Sequence, residues 1–141
     1  MSGYNRVLVA IDVFSNEHEA VVDKALAVAG SPTKINLIYV AYPQTNFEPY
    51  GLFLERDFSE EVREQAQKKL QGIADGHGIP RTHVQVAIGS AAEEIHEVAK
   101  KLGADLIVLG THGQSGVQLL LGSTASSVLH GIECDLLAVK V

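Results

Sequence analysis

A chain of 141 residues, 46% hydrophobic and 20% charged, has the composition of one globular domain, able to bury about two-thirds of its unfolded surface without covalent staples. Its net charge of −6 opposes nucleic acid and anionic membrane surfaces, and the densest basic run is only Lys68-Lys69. The single cysteine, Cys134, excludes an internal disulfide framework and a cysteine-rich metal site, and no apolar run approaches the roughly 20 residues of a membrane span.

The start, Met1-Ser2-Gly3, lacks the layout of a secretory leader, so a cytoplasmic location is expected for a single domain over 1–141. Residues 6–11 are apolar on both faces, as in a strand covered by helices on both sides. Helical spacing follows at Val21, Ala25, Val28 and Ala29 and stops at Gly30-Ser31-Pro32. Residues 35–40 read as a second strand. Pro43, Pro49 and Gly51 then mark an irregular connection expected over about 41–54.

A long amphipathic helix comes next, with Phe58, Val62, Ala66, Leu70 and Ile73 on one face and Glu60, Glu61, Arg63, Glu64, Lys68 and Lys69 on the other. Gly76, Gly78 and Pro80 end it. Residues 83–88 alternate, Val84, Val86 and Ile88 against His83, Gln85 and Ala87, which predicts an edge strand with one wetter face. Ser90 and Glu93 have the spacing of a capping box ahead of a helix carrying Ile95, Val98, Ala99 and Leu102 and stopped by Gly103. A fourth strand spans 105–109. A last helix opens at Gly122-Ser123 with Ala125, Val128, Leu129 and Ile132 expected inward, and a last strand runs from Leu136 to Val141.

This alternation predicts an α/β fold: a doubly wound, five-stranded parallel sheet with helices on both faces. The most apolar strands, 6–11 and 105–109, belong at the centre and 83–88 at an edge, giving the order 3-2-1-4-5. The winding then reverses between the first and fourth strands, and such sheets bind ligands beyond the strand C-termini at that reversal. Asp12 and Gly110 close those two strands.

The fourth strand runs into Gly110-Thr111-His112-Gly113 and the last helix starts at Gly122-Ser123-Thr124, so glycines and helix N–H groups together form a candidate anion cradle. The Walker pattern is missing because no lysine precedes Ser123, and Ala10-Ile11-Asp12-Val13-Phe14-Ser15 replaces a dinucleotide fingerprint. Each residue also has a plainer role: Asp12 as a cap for the following helix, Gly110 and Gly113 as turn formers, Ser123 and Thr124 as N-caps, His112 as a solvated loop residue. Cys134 is expected to pack as a small hydrophobe. Gly113-Gln114-Ser115-Gly116 is not a nucleophile elbow, so a hydrolytic triad is not expected.

Asp12 after the first strand, Gly110-Thr-His-Gly113 after the fourth and Leu121-Gly122-Ser123 at the last helix resemble the universal stress proteins. So do the opening Val-Leu-Val-Ala-Ile-Asp and the ending Cys-Asp-Leu-Leu-Ala-Val-Lys-Val, and the likeness spans the chain. It implies a domain of the adenine nucleotide alpha hydrolase-like type, non-catalytic or at most a slow ATPase. It also implies a homodimer through the C-terminal strand 136–141, with neither nucleic acid nor membrane as partner. Some members bind ATP, here with Mg²⁺ on its phosphates, and others bind no nucleotide and act as dimeric interaction proteins. Carried over from the ATP-binding motif Gly-x2-Gly-x9-Gly-(Ser/Thr), the implied nucleotide contacts are Gly110, His112, Gly113, Gly122, Ser123 and Thr124. Ala10, Ile11, Asp12 and Val40 would meet the nucleoside. The spacer Gln114–Leu121 is one residue shorter than in that motif, which shifts the second phosphate element by up to about 3.5 Å in an extended loop.

Overall fold

The computed structural model describes residues 3–41, 51–111 and 123–141, of which 51–59 and 123 are described as backbone only. Among the described residues, five strands and four α-helices alternate: β1 (Val7–Ala10), α1 (His18–Ala29), β2 (Ile35–Ala41), α2 (Gly51–His77), β3 (Val84–Ile88), α3 (Ala91–Leu102), β4 (Leu106–Gly110), α4 (Ser123–Leu129) and β5 (Asp135–Val139). The strands form one parallel sheet in the order β3-β2-β1-β4-β5, as expected.

Alternation along each strand sends successive side chains to opposite faces. Val7, Val9, Ile35, Leu37, Leu106 and Val108 pack with Val22 and Ala25 of α1 and Leu70 of α2. Leu8, Ile38, Ile107 and Leu109 pack on the other face with Ile95 and Val98 of α3 and Ala125 and Val128 of α4. Both faces are therefore sealed, which is why β1 and β4 read as unbroken apolar runs.

The N-terminal ends of the central strands are clamped. The Asp105 carboxylate accepts the N–H groups of Asn5 (2.9 Å) and Arg6 (3.0 Å), and the Arg6 guanidinium donates to the Leu102 carbonyl at 2.7 Å. Tyr4 adds a 2.6 Å bond from its hydroxyl to Asp135 at the start of β5. At Gly103, φ is +70°, the left-handed conformation that closes α3 just before this clamp.

Several local expectations are corrected. The irregular connection was expected to reach about residue 54, but α2 already begins at Gly51, since no proline lies between Pro49 and Pro80 to stop it. Ser90 stands at the N-cap of α3 without a side-chain cap bond, so the capping box with Glu93 does not form. Glu93 and Glu94 are both acidic groups of that first turn, and the Glu94 carboxylate lies against Gly89. Ala87 does not face water: it is 8% exposed under α3, so β3 is an edge strand that is nonetheless covered on both faces, with Gln85 exposed. Leu129, expected inward, is 47% exposed; α4 ends there, one residue beyond the buried pair Ala125 and Val128, a step of about 100° around the helix.

Candidate functional site

The β1–β4 ladder pairs Val7 with Leu106, Leu8 with Ile107 and Val9 with Val108, and ends there. Past this point each strand keeps only its other neighbour. Ala10 pairs with Ile38 of β2, and Ile11 donates to the Ile38 carbonyl at 3.1 Å. Gly110 pairs with Val139 of β5, and Thr111 donates to the Val139 carbonyl at 2.8 Å. The sheet thus forks at its topological switch point. Burial follows the same line: β1 and β4 are buried up to Val9 and Leu109 and open at Ala10 and Gly110.

Ala10 and Gly110 end the two strands at the fork, Ile11 and Asp12 follow Ala10, and Val40 is partly buried near the end of the adjoining β2. The Ile11 side chain is 7% exposed within the α1/α2 core, which leaves its backbone at the fork. Thr124 is exposed in the first turn of α4, and Ser123 opens that helix. His112, Gly113 and Gly122 lie outside the described residues.

Asp12 does not cap α1, whose N-cap position is Glu17. Its carboxylate instead accepts the Phe14 N–H at 3.0 Å while its carbonyl accepts the Ser15 N–H at 3.1 Å, an Asx-type turn that carries the chain off the sheet. Ser15 continues the relay, its hydroxyl accepting from the Glu17 N–H (3.1 Å) and its carbonyl from His18 (2.7 Å). Burial, and then the negative charge of Asp12, hold the Tyr39 phenol above its ordinary pKa. Phe14 packs edge-on to that ring at 5.5 Å, and the Lys69 ammonium stands 5.7 Å from the Phe14 ring centre.

Three features escaped the sequence reading. Thr111 counts as spacer in a glycine motif, yet its hydroxyl accepts the Val141 N–H at 3.2 Å and ties the β4 tip to the chain end. The Phe14–Tyr39 contact joins positions 25 apart in sequence and depends on strand register, which no local pattern encodes. A cavity of about 400 Å³ beside α1 and α2 shares no residue with the expected set. Cys134, just ahead of β5, packs against the α3/α4 core as expected, and burial raises its thiol pKa.

A sequence model of the Universal stress protein family matches residues 3–140. The chain is 37% identical to universal stress protein A homolog 2 of Coxiella burnetii, over 100% of this chain and 98% of that protein. Among solved structures, a protein designated MJ0577 superposes with a TM-score of 0.83 at 23% identity, covering 99% of this chain and 98% of that one. A universal stress protein solved in complex with cAMP superposes with a TM-score of 0.57 at 22% identity, covering 98% of each chain. At these identities the structural matches speak for the fold.

Proposed function

This chain belongs to the universal stress protein family, and on that premise we propose that it is a non-catalytic regulatory module of the stress response that binds an adenine nucleotide at the β1/β4 fork. The observation that carries the reading is the early end of the β1–β4 ladder, which leaves Ala10 and Gly110 partly open at the tips of two otherwise buried strands. The likeness to a protein solved with cAMP supports an adenine-containing guest. In this reading the Ala10–Asp12 segment and the end of β2 at Val40 receive the nucleoside, and Gly110 with the start of α4 at Ser123 and Thr124 receives the phosphates. The motif positions His112, Gly113 and Gly122 complete the phosphate side.

The charge pattern limits how such a guest is held. From Gly110 to Gly131 the chain has no Lys or Arg. A helix N-terminus contributes about 0.3–1 kcal/mol to an anion, whereas micromolar affinity needs about −8.2 kcal/mol. Adenine burial and backbone hydrogen bonds therefore carry most of the affinity, and a divalent ion such as Mg²⁺ on the phosphates supplies the missing positive charge.

The second part of the reading is a homodimer through β5. This strand lies at the sheet edge, and Leu136, Leu137 and Ala138 are only partly covered. Apolar edges of this kind are stabilised by pairing. The eight residues between Gly113 and Gly122 favour a second reading, a dimeric interaction protein without nucleotide. Denaturing the purified protein and analysing what it releases, together with a thermal scan with and without MgATP, separates the two. Ligand at 100 times Kd adds about 2.7 kcal/mol of stability, a rise of roughly 8 °C in a domain of this size. No released nucleotide and no shift at millimolar MgATP leave the second reading.

A further inference from the structure

We propose that Glu19, Asp23 and His77 form a binding site for a divalent transition-metal ion of the zinc class, on the α1/α2 side of the molecule and separate from the fork. Glu19 and Asp23 are one helical turn apart on α1, so their carboxylates share a face. His77 is the last residue of α2 and comes to that face from the neighbouring helix. Its Nε2 lies 3.5 Å from Glu19 Oε1 and 3.5 Å from Asp23 Oδ1, and one ligand atom from each residue lies within 4.8 Å of the others.

Two details distinguish this group from an ordinary surface ion pair. The first is the ring orientation. His77 Nδ1 is 2.8 Å from the Ile73 carbonyl, which can only accept, so Nδ1 carries a hydrogen and Nε2 is the ring atom turned to the two carboxylates. Two carboxylates turned to one ring nitrogen favour a positive charge between them, and an imidazole whose other nitrogen donates to a carbonyl is the usual form of a metal-binding histidine. The histidine side chain is also largely buried, 14% exposed, and so is held in place while the carboxylates remain accessible.

The second detail is distance. Both N···O separations exceed the 2.7–2.9 Å of a good charged hydrogen bond. Ligand atoms bound at about 2.1 Å to a tetrahedral ion stand about 3.4 Å apart, close to the observed spacing. One imidazole with two carboxylates suits zinc and its first-row neighbours better than Mg²⁺ or Ca²⁺, which take oxygen ligands.

Glu19 and His77 also line the 400 Å³ cavity, together with Val13, His18, Lys69 and Ile73. An ion held by three protein groups there keeps a coordination position open toward that cavity, the arrangement of an accessible rather than a closed structural site. Lys69 lines the same cavity, with its ammonium over the Phe14 ring. An ion at this site ties the first turns of α1 to the end of α2, and so fixes the segment that leaves the fork through Asp12 and Phe14.

The test is a calorimetric titration of Zn²⁺ into the full chain after EDTA treatment and removal of the chelator. The expected result is saturation at one ion per chain, a raised melting temperature with Zn²⁺ and no comparable response to Mg²⁺. His77→Gln should weaken binding by more than the roughly 10–100-fold that loss of an outer-shell partner costs. The Glu19→Gln, Asp23→Asn double variant keeps the histidine and both side-chain shapes, and should lose the same site with its circular dichroism unchanged. His130→Ala, at an exposed position away from the cluster, should bind as the parent does. Absence of saturable zinc binding by the parent overturns the proposal, as does unchanged affinity in either His77→Gln or the double variant.

Discussion

Val9 and Val108 are the last paired positions between the two central strands, and the chain divides directly beyond them: Ala10 stays with β2 and Gly110 with β5. The same two strands are held together at their other end by the Asp105 carboxylate, which accepts the N–H groups of Asn5 and Arg6. One end of the pair is closed by charge-assisted hydrogen bonds and the other is left open. The open end coincides with the winding reversal, where α/β sheets receive their ligands.

Asp105 gives the molecule an acid-sensitive clamp. Partial burial pushes its carboxyl up, but the backbone N–H groups of Asn5 and Arg6, with the nearby Arg6 charge, outweigh this and hold it below the ordinary carboxylate range. A lowered folded-state pKa means that the stabilisation is present above the unfolded value of about 3.9 and is lost as pH falls through the folded value. Asp105→Ala should therefore cost about 1 kcal/mol at neutral pH, and its deficit relative to the parent should shrink below about pH 4. Urea melts of both proteins at pH 7 and pH 3.5 check this. A deficit that is the same at both values would show that the charge has no part in the clamp.

His96 closes the C-terminal turn of α4. A seven-residue helix leaves its last carbonyls without intrahelical partners, and His96 Nε2 lies 2.7 Å from the Val128 carbonyl. His96→Ala leaves that group without its partner and should destabilise the protein by roughly 1–2 kcal/mol. Hydrogen exchange should quicken first in α4 and its flanks, because the short helix has few other anchors. Uniform quickening across the sheet would contradict this local role.

The dimer reading rests on the β5 edge. Leu136 and Ala138 belong to the α3/α4 face and Leu137 to the other; Leu136 is only partly buried, so a lysine there can lay its stem along the α3/α4 core and carry its ammonium to solvent. Leu136→Lys should shift the particle mass measured by light scattering from two chains toward one while preserving the circular dichroism spectrum. A parent protein that is monomeric at high concentration would remove the proposed interface altogether.

The fold was legible because burial on both faces leaves a direct trace: Val7 to Ala10 and Leu106 to Leu109 are apolar without interruption, and the α3 stripe Ile95, Val98, Ala99 repeats at helical spacing. Position at the switch point followed from that order, with Ala10 and Gly110 at the tips of the two strands. Sequence failed where a side chain has competing partners. Ser90 has the spacing of a cap but makes no such bond, Asp12 serves a turn rather than the helix after it, and Leu129 falls one residue beyond the inward stripe. It failed again where helices far apart in the chain meet, as at Glu19, Asp23 and His77, since crossing geometry is not written locally.

Asp12→Asn offers the most direct test of the nucleotide reading, because an asparagine oxygen can still accept the Phe14 N–H and keep the turn while the negative charge is removed. Calorimetric titration of MgATP into the parent and the Asp12→Asn variant should give one site per chain, weakened about tenfold by the substitution, a loss of about 1.4 kcal/mol. No binding by the parent at millimolar MgATP, or equal affinity in the two proteins, would contradict a guest seated at the fork.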